Sequence, residues 1–114
     1  MEVLAAVAQL KQLRSLGISA CPVSKEMLSL LVALNELESL MLQDTGITDA
    51  DTMQIAKFTR LKRLALEGNQ VTDTGLQSLK SLRELKFISL LGLNISPQAI
   101  NEFKATLPNC EVRK

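Results

Sequence analysis

The sequence contains no histidine, which removes His-based triads, His acid–base pairs and His-ligated metals together. It has no tryptophan, no tyrosine and 3 phenylalanines, too few rings for a platform that stacks nucleic-acid bases. Its 2 cysteines cannot make a disulfide scaffold or a four-thiolate zinc site. The 5 glycines are scattered and form no phosphate-cradling loop. Neither sign of charge dominates: 13 Lys and Arg against 12 Asp and Glu leave a net +1, so no overall basic field draws the chain to nucleic acid or to an anionic membrane. No apolar run approaches the roughly 18 residues of a membrane span. Met1–Glu2 is followed by neither a basic segment nor the apolar core of a signal peptide. No catalytic group, cofactor site or metal site is read, and the sequence assigns no compartment.

What remains is a chain of 114 residues, the size of one small domain. Hydrophobic residues make up 46% of it and charged residues 22%, ordinary for a globular protein. Leucine occurs 22 times, and its placement carries the information. Blocks opening on Leu13, Leu37, Leu61 and Leu85 read LRSLGISACPV, LESLMLQDTGI, LKRLALEGNQV and LKFISLLGLNI, each displaced by 24 residues from the last. Apolar residues recur at places 1, 4, 6 and 11 of every block. The fourth place holds Leu16, Leu40, Leu64 and Ile88; the sixth, Ile18, Leu42, Leu66 and Leu90; the eleventh, Val23, Ile47, Val71 and Ile95.

After the eleventh place come Ser24, Thr48, Thr72 and Ser96, again in phase. A hydroxyl there reads as a helix N-cap, its oxygen accepting from an orphan N–H of the first turn. Pro97 fits the first helical position, and Asp49 and Asp73 place negative charge at the positive end of the helix that each begins. Apolar residues follow at helical spacing: Leu28, Leu31 and Leu34; Ile55 and Phe58; Leu76, Leu79 and Leu82; Ile100, Phe103 and Leu107. Thr52 interrupts the column of Leu28, Leu76 and Ile100, and Met53 beside it is expected to fill the gap.

This pattern resembles the leucine-rich-repeat family, whose unit reads L-x-x-L-x-L-x-x-N/C-x-L with a period of about 20–29 residues. At the ninth place, Cys21 and Asn69 match the family's preference; Thr45 is expected to bond the turn backbone by its hydroxyl, and Leu93 to leave the last turn looser or differently bonded. The segments ITDAD and VTDTGL look like the ITDxGL repeats of bacterial leucine-rich-repeat proteins, including those of planctomycetes. Similar signatures occur in eukaryotic F-box-associated repeats, whose longer unit fits the 24-residue period less well. The resemblance implies an α/β right-handed solenoid with a curved parallel sheet on its concave face and helices on its convex face. It implies a non-catalytic module for protein–protein interaction.

The expected organisation is a single domain: a half repeat over 1–12, repeats over 13–36, 37–60, 61–84 and 85–108, and a terminal strand within 109–114. Leu4, Val7 and Leu10 align with Leu28, Leu31 and Leu34, so the chain opens on the helical half of a unit, which reads as the C-terminal part of a longer protein or as a helical cap. Val112 lies 24 residues after Ile88 and predicts a fifth strand over Cys110–Val112, with Arg113 and Lys114 charging the edge. Strands about 4.8 Å apart put Cys21 and Cys110 beyond disulfide reach; Cys21 is expected to be buried and Cys110 to lie at the edge. Asn94-Ile95-Ser96 is a formal glycosylation sequon, set aside because Ser96 is needed as a cap and Pro97 follows.

Residues at places 3, 5 and 7 alternate outward from each strand. They are Ser15, Gly17 and Ser19; Ser39, Met41 and Gln43; Arg63, Ala65 and Glu67; Phe87, Ser89 and Leu91. Place 2 adds Arg14, Glu38, Lys62 and Lys86. The candidate protein-binding residues are Met41, Gln43, Arg63, Glu67, Phe87, Ser89 and Leu91, because an aromatic beside an aliphatic and an arginine has the composition of a binding hot spot. Phe87 and Leu91 have an alternative, to pack on each other or under residues 110–114. The partner is a protein or a sister domain, with no nucleic acid and no membrane. Self-association through the open N-terminal edge, extension of a longer solenoid, and substrate capture for an F-box-like complex are the alternatives.

Overall fold

In the computed structural model, which describes residues 11–114, the chain winds as an α/β solenoid of 40 × 24 × 18 Å. The order is β1 (Ser15–Gly17), α1 (Lys25–Leu31), β2 (Ser39–Met41), α2 (Asp49–Ile55), β3 (Arg63–Ala65), α3 (Asp73–Ser78) with a 3-10 turn over Leu79–Ser81, β4 (Phe87–Ser89), α4 (Pro97–Thr106) and β5 (Glu111–Arg113). The five strands form one parallel sheet in sequence order. Leu16, Leu40, Leu64, Ile88 and Val112 stand opposite one another along it. The 24-residue sequence period is therefore the sheet register itself. Of the half repeat expected over 1–12, residues 1–10, with Leu4, Val7 and Leu10, lie outside the described residues.

The repeated apolar places make one continuous core. Leu40, Leu64 and Ile88 are fully buried, as are Leu31, Ile55, Leu79 and Phe103 from the helical column. Leu13, Leu16 and Ile18 are only half-buried, because β1 is an edge strand of the described sheet. Each unit closes its core against its neighbours, so stability sits in the interfaces between units. Met53 does not fill the gap at Thr52. Thr52 occupies the buried column itself and donates its hydroxyl to Asp49 O at 2.6 Å, while Met53 points outward, 64% exposed.

The turns after the strands are built on a left-handed residue at the eighth place of every unit. Ala20, Asp44, Gly68 and Gly92 have φ of 54°, 54°, 73° and 77°. This conformation aims the Ala20 N–H at Gln43 O and the Asp44 N–H at Glu67 O. Asn69 then locks two turns together. Its Oδ1 accepts from Thr45 N at 3.0 Å and Ile47 N at 2.9 Å, and its Nδ2 donates to Leu42 O and Leu66 O. Thr45 donates its hydroxyl to Leu42 O at 2.9 Å, as expected. Leu93 turns half-buried against the core, and its N–H bonds Leu90 O. Cys21 departs from the expectation: it is exposed, and Cys110 is the buried thiol. The N-terminal unit packs more loosely around its turn, whereas Cys110 precedes β5 and seals the end of the core.

Ser24, Thr48, Thr72 and Ser96 are the helix N-caps, as expected, but their bonding differs from unit to unit. Ser24 and Ser96 accept from Met27 N and Ala99 N of their own helices. Asp49 and Asp73, however, act on the next unit. Asp49 accepts from Thr72 N, the Thr72 hydroxyl and Gly75 N, and Asp73 from Ser96 N and the Ser96 hydroxyl. Thr48 has Lys25 where Thr72 has Asp49, so its N–H and hydroxyl bond Asp51 of its own helix instead. The carboxylates are thus struts between successive units.

Candidate functional site

Because the strands run in register, their outward residues form rows across the sheet face opposite the helices. One row is Ser15, Ser39, Arg63, Phe87 and Glu111; the next is Gly17, Met41, Ala65, Ser89 and Arg113. Gln43, Glu67 and Leu91 lie just beyond the strand ends, at the same period. The face is small and neutral at β1 and β2, and it gains long side chains toward β4 and β5.

Phe87 is the centre of the C-terminal end. Its ring is half-buried, with the Arg63 guanidinium 4.7 Å and the Arg113 guanidinium 5.5 Å from its centroid. Each contact is a cation–π interaction of about 0.5–1 kcal/mol at an exposed site. The two arginines come from the strands on either side of β4, and both are exposed. Leu91, just beyond the end of β4, stays 38% exposed. Ser89 is not a surface residue: it is 2% exposed, as is Ala65 beside it, so the two small residues make the floor of the face. The Ser89 hydroxyl has no hydrogen-bond partner.

The remaining candidates group differently. Gln43 Nε2 donates to Glu67 Oε1 at 3.4 Å, tying the two together. Met41 is half-buried in the Ala65–Ser89 row, two strands from Ser89, or about 10 Å at ordinary strand spacing. It does not meet Phe87. Glu38 and Lys62, at place 2, pair at 3.7 Å. Arg113 was absent from the candidates, although its distance of 24 residues from Ser89 puts it in the same outward row. The expected strand over 110–112 is displaced by one residue, to Glu111–Arg113, which brings that side chain over the ring.

Titratable groups away from this face have structural roles. The backbone and hydroxyl of Ser96 hold the Asp73 carboxyl below its ordinary range. Burial, with the Glu111 charge second, pushes the Cys110 thiol up to about 11. A groove of about 290 Å³ between α3 and α4 is lined by Asp73, Gln77, Gln98 and Glu102, but the Asp73 carboxylate is already taken by Ser96. Among the described residues no cluster of His, Cys, Asp or Glu is arranged to hold a metal ion, and no helix is long and apolar enough to cross a membrane.

No protein-family model and no curated protein sequence matches the chain. Solved structures do. A leucine-rich-repeat protein of Leptospira interrogans is similar with a TM-score of 0.69 and 27% identity, over 96% of this chain and 27% of that one. An internalin of Listeria monocytogenes is similar with a TM-score of 0.62 and 18% identity, over 96% of this chain and 37% of that one. The chain thus spans only 27% and 37% of the length of these bacterial proteins. A parallel strand and a helix in each 24-residue unit, a buried asparagine bonding adjacent turns, and this likeness in three dimensions lead to one assignment: the chain has the leucine-rich-repeat fold.

Proposed function

We propose that the chain is a non-catalytic protein-binding module that offers the outer face of its sheet to a partner protein or a sister domain. The observation that supports this most directly is the Arg63–Phe87–Arg113 cluster, with exposed Leu91 beyond the end of the same strand. It is an aromatic and aliphatic surface, flanked by guanidinium groups, on a face that the helices leave uncovered. Aromatic and arginine side chains are those most enriched among residues that dominate interface energies. The core accounts for the leucines at places 1, 4, 6 and 11, whereas Phe87 and Leu91 serve no such packing need. Two arginines and a ring already enclosed by them give no free stacking surface for a base, which argues for protein over nucleic acid.

The test is comparison of the proteins captured by the wild-type chain and by a Phe87→Ser, Leu91→Ser double variant of unchanged circular dichroism. Captured partners lost with the double variant support the reading. Partners retained in full exclude this face as the site.

A second reading is structural, that of a segment which extends or ends a longer solenoid or self-associates through β1. The short share of each bacterial protein that the chain spans favours it. Light-scattering mass across a wide concentration range separates the two. Self-association that survives Phe87→Ser supports pairing through the β1 edge; a monomer at every concentration argues against self-association.

A further inference from the structure

At the C-terminal end of the sheet face two guanidinium groups lack acceptors, although Glu67 and Glu111 stand on the same face. Arg63 and Arg113 stack on one ring, which fixes their positions and leaves their N–H edges without an acceptor. Among the described residues neither forms an ion pair; the one such pair on this side of the molecule is Lys62 with Glu38. Two like charges held on one ring repel each other, and nothing in the fold requires both. Between their strands lies Ser89, buried, with a hydroxyl that lacks any partner. Buried polar groups are almost always bonded, so an orphan in this row is a second, independent sign of a missing acceptor.

We infer that this end of the sheet takes an acidic side chain of the partner protein, its carboxylate held by the free guanidinium edge of Arg63 or of Arg113, with a neighbouring apolar side chain seated on Leu91. The inference rests on the sheet-face reading above and gives it a partner chemistry. Guanidinium edges match carboxylates in plane and bidentately. Ser89 shares its row with Arg113, and its hydroxyl is a further donor for an acid bound beside that arginine. A long polyanion fits less well. Glu67 and Glu111 stand on the same face and repel an extended run of phosphates, whereas one or two carboxylates pass between them.

The experiment pans a random twelve-residue peptide library, displayed on phage, against the wild-type chain, and measures the selected peptides by titration calorimetry. The expected outcome is enrichment of Asp or Glu next to Leu, Ile or Phe. Replacing the selected acid by its amide should weaken binding at least tenfold, and Arg63→Gln with Arg113→Gln should do the same. Ser89→Ala should weaken it severalfold while leaving the chain folded. Peptides that lose binding with Phe87→Ser but show no acidic preference overturn the carboxylate while leaving the binding face standing. Selected peptides indifferent to Phe87, Arg63 and Arg113, or no selection at all, overturn both. Tighter binding to a twelve-nucleotide single strand than to any selected peptide also overturns it, in favour of phosphate.

Discussion

The Asp49 carboxylate accepts a hydrogen bond from the Gly75 N–H at 3.1 Å, and a side chain at Gly75 would occupy the place that the carboxylate takes. An added Cβ would lie 2.4 Å from Asp49 Oδ1 and 2.8 Å from Val71 Cγ1. The missing side chain of one unit therefore makes room for the strut of the unit before it. Asp49→Ala should cost about 1–3 kcal/mol, as charge-assisted bonds do. Gly75→Ala should cost a similar amount, through a contact that has to open. The double variant should be less destabilised than the sum of the two, because removing the carboxylate removes one of the two clashes. Urea denaturation of the four chains measures this; strict additivity would mean that the two residues do not share the interface.

Asp73 makes the same reach to Ser96, and there the effect is visible in pH. The bonds from Ser96 favour the charged carboxylate and lower its pKa in the folded state. A lowered folded pKa gives stability that is present above the unfolded value of about 3.9 and is lost as pH falls through the folded one. Thermal melts between pH 2 and 6 should show wild-type stability declining on the acid side. Asp73→Asn should be less stable than wild type at neutral pH and should show a shallower acid decline. Parallel curves for the two chains would remove Asp73 from the acid response.

The strands, the core and the outward rows were legible because one period governs all three. Within the strands a residue 24 positions from a leucine of the core faces the core, as Val112 does after Ile88, and Arg113 follows Ser89 into the outward row by the same period. What the sequence concealed is contact between units. Asp49 reads as the first residue of its own helix, and only the approach of α3 reveals that it serves Thr72 and Gly75. Met53 and Thr52 exchange their expected places because a threonine hydroxyl bonded to Asp49 O is buried at little cost. Ser89 counts as outward by alternation, yet it is buried. Alternation gives direction, not accessibility.

Asn69 offers a sharper test of how units hold each other. Its amide serves the N–H groups of Thr45 and Ile47 and the carbonyls of Leu42 and Leu66. Asn69→Leu imitates the fourth unit, where Leu93 stands, but it strands buried backbone groups that the fourth turn does not present to it. Each unmade bond costs about 1–3 kcal/mol, so the loss should reach about 3 kcal/mol or more. Amide exchange should quicken at Thr45 and Ile47 before the rest of the sheet. Unchanged protection at those two amides would show that water replaces the side chain.

The left-handed column makes a prediction of opposite sign. Ala20 adopts a φ of 54° without the freedom that Gly68 and Gly92 have at the same place. A left-handed L-residue costs about 1–2 kcal/mol, and glycine gives back about 0.5–1 kcal/mol in chain entropy. Ala20→Gly should therefore raise stability, by about 0.5 kcal/mol. Gly68→Ala should lower it by more than the conformational cost, since the new Cβ would collide with the Asp44 carboxylate. Asp44→Ser should recover part of that second loss. A stabilised Gly68→Ala chain would contradict the packing of these two turns.

The two thiols should separate completely in reactivity, because one is exposed and the other ends the core. Cys21 is open to solvent, and Cys110 is 7% exposed with its thiol pushed up to about 11 by burial. A thiolate is the reactive form, so Cys110 is protected twice, by access and by protonation. At pH 8, Ellman's reagent should modify one thiol quickly, and peptide mapping should place it at Cys21. The second should react only as fast as the C-terminal unit opens, and at once in denaturant. The linkage has a definite direction. A thiol whose folded pKa is raised gives stability that is complete below the unfolded value, 9.0, and is lost as pH rises through the folded value of about 11. Cys110→Ala should flatten the decline in stability across that interval. Equal labelling rates for the two thiols would show that β5 detaches from β4 freely, and would remove Arg113 from its place beside Phe87.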